Sequence, residues 1–316
     1  MQNRLSLKKI IPILIVVCFL PLITLPFPSG DYGLRIIVSA YLYMLLAVGL
    51  NVVPGFTGLL DLGYAGFYLV GGYTAGLLMV RLGWSYWVVL PIAAIHGALW
   101  GLLRGAPTLR LTGDYFAIVT FGFAELLHRV VKNEIWLIGG PNGLINDIPR
   151  PNLFGYELNY NLHHYYHILI LLCITIFVVY RLQHSRIGRA WEAIREDEYA
   201  ASCMGINIRE YKSLAFAVSA AIGGIGGAFY AQLQATISAS TFEFWESIFI
   251  LCMVVLGGMG SITGSMIGAG ILGASPEVLR LILPPELMGA RYLIYGILLI
   301  VMMRFRPAGL WSANKT

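Results

Sequence analysis

The stretch "IIVSAYLYMLLAVGLNVV", residues 36 to 53, decides the fold class of this chain. It contains no charged residue and approaches the roughly 20 residues that a helix needs to cross a hydrocarbon core about 30 Å thick. A membrane barrel would instead need segments of about ten residues with alternating polarity, and this run is apolar on both faces. The stretch therefore predicts a transmembrane α-helix.

The composition of the whole chain is also that of a membrane protein, and similar apolar segments recur along it. Of its 316 residues, 58% are hydrophobic and only 12% are charged, against about 25% charged residues in an ordinary soluble domain. We predict an all-α, polytopic integral membrane protein in which residues 1–316 form one transmembrane domain, a helical bundle of about ten segments. The predicted segments are Ile10–Phe27, Ile36–Val53, Gly63–Val80, Trp84–Leu103, Tyr115–Val131, Tyr166–Tyr180, Ser213–Gln234, Phe244–Leu256, Ile262–Leu279 and Tyr292–Met303.

One pair of segments leaves a second count open. Phe244–Leu256 is short for a membrane crossing, and it runs into "LGGMGSITG", residues 256–264, whose glycines disfavour an unbroken helix. The two segments that flank this loop are therefore also compatible with a re-entrant hairpin, which leaves eight crossings. Both counts are even, so the two termini lie on the same side of the membrane in either case.

The positions of the basic residues predict which side that is. With the N-terminus inside, 14 of the 21 Lys and Arg residues fall in cytoplasmic pieces and the other 7 fall outside. Cytoplasmic loops are normally enriched in Lys and Arg. We therefore expect both termini, and the loop of residues 181–212, to be cytoplasmic.

Two glycine-rich breaks, "GFTGLLDLG" at residues 55–63 and "LGGMGSITG" at residues 256–264, interrupt the apolar runs. Irregular backbone at membrane depth persists only where protein buries it or where it lines a water-filled cavity. The breaks are therefore candidates for a translocation pathway, and the alternative is tight helix packing through small residues. Charge in a membrane is costly, and Asp61 lies within a glycine-rich break, so it is the best single polar candidate. The candidate pathway residues are Gly55, Thr57, Gly58, Asp61, Gly257, Gly258, Gly260 and Ser261.

No catalytic constellation stands out in the sequence. It contains no GxxxxGK(S/T) loop to cradle the phosphates of ATP. The histidines of "HHYYH", residues 163–167, are interpreted as part of an interfacial belt and not as a metal site. Glu125 is expected to pair with Arg129, which lies four residues later on the same helix face. We therefore expect a non-catalytic protein with no metal site.

Charge is concentrated in one stretch, "GRAWEAIREDEYAASCMGIN", at residues 188–207. From Arg189 to Met204 the residues are good helix formers without Pro or Gly, and Gly205 suits a helix end. Apolar side chains fall on roughly one side of this predicted helix, namely those of Trp191, Ile194, Ala201 and Met204. Such a charged amphipathic helix with a large aromatic residue can dock into a groove of another protein. The alternative is a solvated loop helix whose charges pair with one another.

Six motifs resemble those of a known family of permease subunits, those of bacterial branched-chain amino acid ABC transporters of the LivM type. The motifs are "GLLDLGYAGFYLVGGYTAGLL", "LRLTGDYFAIVTFGFAELL", "GGPNGL", "IGRAWEAIREDEYAASCMGIN", "MVVLGGMGSITG" and "RPAGL". The resemblance implies a type II-like ABC importer permease in a bacterial inner membrane. It also implies four kinds of partner: a second permease subunit, two cytoplasmic ATPase subunits, a periplasmic amino-acid-binding protein and membrane lipid, with no nucleic acid.

The resemblance assigns the charged stretch to ATPase coupling. In such importers a cytoplasmic helix with an EAA…G pattern fits a cleft on the ATPase. Here Tyr199, Ala200, Ala201 and Gly205 match that spacing, with Tyr in the position of Glu, and Glu192–Ile194 is a second partial match. The implied coupling residues are Gly188, Arg189, Ala190, Trp191, Glu192, Ala193, Ile194, Arg195, Glu196, Asp197, Glu198, Tyr199, Ala200, Ala201 and Gly205.

The implied function is import of leucine, isoleucine or valine by alternating access. ATP and Mg would be used by the partner ATPase, so this chain would bind no cofactor directly. Related permeases handle urea or short amides, which remain alternatives. An ion-coupled secondary transporter and a membrane enzyme are the alternatives from other classes.

Overall fold

The computed structural model describes residues 30–108, 113–134, 144–153, 156–157, 161–282, 290–305 and 309–311. These residues are predominantly helical, as the apolar runs predict. The helices are α1 (Gly30–Phe56), α2 (Tyr64–Leu82), α3 (Tyr86–Thr108), α4 (Asp114–Asn133), α5 (Asn161–Gln183), α6 (Arg186–Glu196), α7 (Glu198–Cys203), α8 (Ile208–Gln234), α9 (Phe244–Gly257), α10 (Ile262–Ile282) and α11 (Ala290–Phe305). A two-stranded antiparallel hairpin, β1 (Asn152–Leu153) with β2 (Tyr156–Glu157), precedes α5.

Six helical stretches of the described residues are long and apolar enough to cross a membrane. They are Tyr32–Phe56, Tyr64–Leu82, Tyr86–Gly105, Asn161–Gln183, Ile208–Gln234 and Ala239–Gly257. The predicted segment Ile10–Phe27 lies outside the described residues. The chain is therefore a polytopic helical membrane protein, whereas the count of about ten crossings stays a prediction.

The segment Phe244–Leu256, predicted as too short for a comfortable crossing, is lengthened at its start. A 3-10 helix, Ala239–Phe242, precedes α9, and Ala239–Gly257 together reach spanning length. At its other end α9 turns into α10, and Gly257 lies against the backbone of Gly264. Farther along α10, Gly273 lies against Ala40 of α1. The turn at the second glycine break thus joins two neighbouring helices.

Helix α8 is the centre of the bundle, and small residues let its neighbours approach it. A Cβ on Gly71 of α2 would collide with the backbone of Gly224, and one on Gly97 of α3 would lie 2.5 Å from the carbonyl oxygen of Ala220. Close backbone approach through small residues is the usual packing of membrane helices. The glycine-rich run of α8 therefore packs helices, as the small-residue interpretation of such runs predicts.

The order of these contacts gives the direction of the helices. On α1, Leu46 lies beside Gly226 and Gly49 lies beside Ile222, so α1 is antiparallel to α8. The end of α1 therefore lies toward the start of α8. Helix α6 packs at this end of the bundle, which we call the coupling end.

Candidate coupling and pathway sites

The charged stretch forms two helices, so the prediction of one helix from Arg189 to Met204 is wrong. Helix α6 ends at Glu196 and α7 begins at Glu198, with Asp197 between them in an extended conformation. The Asp197 side chain accepts a hydrogen bond from the backbone N–H of Ala200 at 2.9 Å. Asp side chains compete in this way with the helical backbone and are strongly favoured as N-caps. The break therefore has a local cause.

The predicted stop at Gly205 is confirmed. Gly205 has φ +82°, in the left-handed region that glycine favours. The N–H groups of Gly205 and Ile206 donate to the carbonyls of Ser202 and Ala201 at 3.0 and 3.2 Å. This pair of bonds is the Schellman motif, which satisfies the last carbonyls of a helix.

The side chain of Trp191, expected on a docking face, is instead fully buried within this chain. It stacks on Phe56 at the end of α1, with ring centroids 6.1 Å apart, and its indole N–H donates to the carbonyl oxygen of Tyr211 at 2.7 Å. Ile194 and Ala201 are also buried, but Met204, predicted on the same side, is 83% exposed. The change of direction at Asp197 separates Met204 from the apolar stripe of α6.

Arg195 joins α6 to the first glycine break. Its Nη1 donates to the carbonyl oxygen of Gly55 at 2.6 Å, within the last turn of α1. The last carbonyls of a helix lack helical partners and carry the negative end of the helix dipole. A guanidinium is therefore well placed here. A Cβ on Gly58 would lie 3.3 Å from Arg195 Cγ, so α6 lies directly against this break.

The second glycine break meets the same cluster. The backbone N–H of Gly260 donates to Asn51 Oδ1 of α1 at 2.9 Å, and a Cβ on Gly260 would lie 2.7 Å from Arg195 Nη1. The C-terminal Leu310 and Trp311 donate to the carbonyls of Leu256 and Gly257 at 2.8 and 2.9 Å. The structure thus brings together the two breaks, the charged stretch and the C-terminal motif, which are far apart in sequence.

Helix α7 has a separate attachment to the bundle. Lys212 Nζ donates to Glu198 Oε2 at 2.6 Å, and the lysine is almost completely buried at the start of α8. The next residue of α7, Tyr199, is 81% exposed. The coupling loop therefore has α6 attached to α1, α7 attached to α8, and an uncovered surface at Tyr199 and Met204.

Asp61, the candidate polar pathway residue, is fully buried in an ion pair with Arg104 of α3. Arg104 Nη1 donates to Asp61 Oδ1 at 3.0 Å, and Oδ1 also accepts from the N–H of Gly63 at 2.8 Å. The guanidinium carbon lies 4.1 Å from the ring centroid of Phe67 and 5.0 Å from that of Phe216. The carboxylate is thus satisfied inside this chain.

Most of the other candidate pathway residues are also buried. Thr57 Oγ1 donates back to the carbonyl of Val53 at 2.8 Å, and Ser261 Oγ accepts from the N–H of Gly264 at 3.1 Å. Gly55, Gly257, Gly258 and Gly260 are buried, whereas Gly58 is exposed.

The predicted pair of Glu125 and Arg129 is confirmed. Arg129 Nε donates to Glu125 Oε1 at 2.9 Å, and the two side chains are 73% (Arg129) and 31% (Glu125) exposed. Unlike the Asp61 pair, this one lies on the outer surface of the bundle.

The histidines of "HHYYH" contact neighbouring helices. His164 Nδ1 lies 2.9 Å from Gln232 Nε2 of α8, and His167 Nε2 lies 3.4 Å from the Tyr86 hydroxyl of α3. Among the described residues, no cluster of three or more His, Cys, Asp or Glu side chains could hold a metal ion.

Sequence reasoning missed Arg104 and Asn51 as partners of the breaks. Asn51 lies inside an apolar run and Arg104 directly follows one, and only the close approach of α1 and α3 to the breaks reveals their contacts. The available signal was the single cation of "GLLRGAP", Arg104. A charge without a partner at the end of an apolar run would be costly, so a partner was to be expected.

The family described as "Branched-chain amino acid transport system / permease component" matches residues 32–303. The chain belongs to this permease family. The match runs from α1 into α11, so it covers Arg195 and both glycine breaks.

Relatives of this permease family are named as amino acid transporters. The chain is 40% identical to the high-affinity branched-chain amino acid transport system permease protein LivM of Escherichia coli K12, covering 92% of this chain and 72% of that protein. LivM of Salmonella typhimurium LT2 is 38% identical with the same coverage. The permease protein LivH of Escherichia coli K12 is 27% identical over 85% of this chain and 90% of that protein. No solved structure matches the chain.

Proposed function

We propose that this chain is the transmembrane permease subunit of an ATP-driven importer for branched-chain amino acids. The observation that carries the proposal is the 40% identity to LivM over 92% of the chain. Similarity to both LivM and LivH supports pairing with a second, homologous permease, because relatives of both names match the same chain. We place the protein in a bacterial inner membrane with both termini cytoplasmic.

The uncovered surface at Tyr199 and Met204 is the proposed contact with the ATPase subunit. Both residues are more than 80% exposed, at 81% and 83%; Tyr199 lies in the first turn of α7, and Met204 directly precedes the Schellman turn at Gly205. Two apolar side chains exposed beside a rigid turn suit insertion into a groove. This favours the Tyr199–Gly205 register of the coupling pattern over the one that begins at Glu192.

Arg195 and Trp191 would carry the motion inward. A docked helix shifts an equilibrium only if it interacts differently with the two states of the ATPase. Movement of α6 would act on the end of α1 through the Gly55 carbonyl and the Phe56 ring. ATP and Mg would be bound by the partner subunits, and this chain would contribute no catalytic group.

Reconstitution tests the proposal. The chain is assembled in proteoliposomes with the second permease, the ATPase subunits and the binding protein encoded beside it, and uptake of labelled leucine is measured. We expect uptake that needs ATP and is unaffected by collapse of proton and sodium gradients. Uptake that needs a gradient and no ATP would identify a secondary carrier. Uptake of labelled urea in place of labelled leucine would reassign the substrate.

A further inference from the structure

The outer face of α4 carries an ion pair where an apolar surface is expected. We define this face by Gly122, Glu125, Leu126, Arg129 and Val130, which line one groove of about 600 Å³. The groove continues along the helix to Asn133 and Glu134. Nothing in the described residues lies within 4 Å of a Cβ placed on Gly122, so the groove is open there.

The ion pair lies level with the middle of the bundle. Ala124, next to Glu125, packs against Gly66 of α2. The following residue of α2, Phe67, packs against Gly223, which lies near the centre of the spanning stretch Ile208–Gln234. Glu125 is therefore level with the middle of α8, and Arg129 lies one turn farther along α4.

A charged pair at this depth does not face lipid. Ionisable side chains within a membrane almost always face a bundle interior or a water-filled cavity. Other surfaces of this chain follow that rule: the exposed side chains of α5 at spanning depth include Ile170, Ile174 and Phe177. The outer face of α4 must therefore be covered by protein or wetted in the assembled transporter.

The Glu125–Arg129 pair has further hydrogen-bonding atoms that can bind a ligand on the open side of the groove. Arg129 reaches Glu125 through Nε. Among the described residues, its two terminal nitrogens have no hydrogen-bond partner. A guanidinium binds a carboxylate through two parallel N–H bonds. Glu125 Oε2 likewise has no donor in the described part of the chain, and a carboxylate accepts from an ammonium group.

We propose that the outer face of α4 lines the substrate pathway and binds the charged ends of a zwitterionic amino acid. Glu125 takes the α-ammonium group and Arg129 takes the α-carboxylate. Leu126 and Val130, 58% and 51% exposed, offer apolar surface for a small aliphatic side chain. The second permease subunit closes the other side of the pathway. This inference rests on the proposed function, and it assigns the ligand contacts to α4 instead of to the glycine breaks.

Cysteine labelling tests whether the face is wet. Leu126→Cys is introduced into a chain whose native Cys18, Cys173, Cys203 and Cys252 are replaced by Ser, and the full transporter is treated with a charged, membrane-impermeant thiol reagent. Ile174→Cys is the matched control, because its side chain is 54% exposed on α5, against 58% for Leu126. We expect labelling at position 126 and none at position 174.

Substrate protection tests the ligand class in the same preparation. Leucine, delivered by the binding protein, is expected to slow labelling at position 126 by roughly tenfold, as two charge-assisted contacts would allow. 4-Methylpentanoate, which lacks the ammonium group, and 3-methylbutylamine, which lacks the carboxylate, are expected not to protect. Equal protection by either analogue would overturn the zwitterion site.

Three outcomes separate this inference from the proposed function. If Leu126→Cys does not react with the impermeant reagent but does react with a lipid-soluble maleimide, the face lies in lipid and the inference is overturned. An unlabelled cysteine that cross-links to the second permease would make the face a subunit contact and would also overturn it. Failure of the unaltered transporter to take up leucine would overturn the proposed function and, with it, the ligand class.

Charge removal gives an independent measurement. We expect Glu125→Gln and Arg129→Gln each to raise the KM for leucine uptake by roughly tenfold while subunit levels in the membrane stay unchanged. Glu210→Gln, at the exposed start of α8, is the control and should leave KM unchanged. An unchanged KM in both α4 variants would contradict the inference.

Discussion

Two carboxylate–arginine pairs of this protein differ in their surroundings. Asp61 and Arg104 are fully buried, with the guanidinium between two aromatic rings. Glu125 and Arg129 lie on an open face, and most of the arginine is exposed. The buried pair satisfies itself within one chain, so it serves the structure. The exposed pair lies at membrane depth without such an enclosure, so it depends on something outside the chain.

The largest expected effect comes from breaking the buried pair. Asp61→Asn leaves the Arg104 charge without its carboxylate, and removing one partner of a buried ion pair costs about 3–5 kcal/mol of stability. Thermal unfolding of the purified subunit in detergent measures this cost. Glu125→Gln is the matched control and should unfold close to the unaltered protein. Equal stability of the two variants would contradict the contrast between the pairs.

A double substitution tests whether the loss comes from the unpaired charge. Asp61→Asn combined with Arg104→Met replaces the pair by groups without net charge, and such replacements are often neutral in buried sites. We expect the double variant to recover more than half of the stability lost in Asp61→Asn, as judged by the same unfolding measurement. The Asn oxygen can still accept from Gly63, so that hydrogen bond is kept. A double variant less stable than the single one would show that the aromatic contacts of Arg104 dominate.

Arg195 is an intermediate case, since it is exposed but bonded to a buried carbonyl. Arg195→Gln removes one charge-assisted hydrogen bond to Gly55, worth about 1.5–3 kcal/mol. We expect ATP-driven uptake to fall by roughly tenfold or more while ATP hydrolysis by the assembled complex continues. Arg209→Gln, an exposed arginine on α8, is the control. If Arg195→Gln prevents assembly of the subunits, and does not merely reduce uptake, the contact between Arg195 and Gly55 is purely structural.

The smallest expected effect on stability comes from a substitution that removes the exposed pair. A surface pair four residues apart on a helix contributes about 0.3–0.5 kcal/mol, and salt screens it. Arg129→Gln should therefore change the unfolding temperature of the isolated subunit very little, at low and at high salt. A loss as large as that of Asp61→Asn would mean that the pair is enclosed within this subunit.

Local signals in the sequence predicted several features correctly. The apolar runs gave the helices, and Gly205 marked the end of α7 because a left-handed residue there favours glycine. The four-residue spacing of Glu125 and Arg129 gave their pairing. These features depend only on neighbours within one or two helical turns.

For features that depend on residues far apart in sequence, the predictions were wrong or incomplete. Trp191 was expected at a partner surface, but Phe56 and the Tyr211 carbonyl hold it inside the chain. Asp61 was chosen as a pathway candidate because it lies in a glycine break, and its pairing with Arg104, which lies on another helix, was missed. Helix formers from Arg189 to Met204 suggested one helix, yet the cap formed by Asp197 outweighed their propensity.

The sequence by itself determined that this is a helical membrane protein of the branched-chain amino acid permease family and that its charge is concentrated in one loop. Both follow from composition, hydrophobic period and local motifs, which need no knowledge of packing. Only the tertiary structure decided that both glycine breaks, the C-terminal motif and Arg195 meet at one end of the bundle. It also decided which ion pair is enclosed and which is open. Burial is the physical reason, because it depends on which helices pack together and not on the order of residues within any one of them.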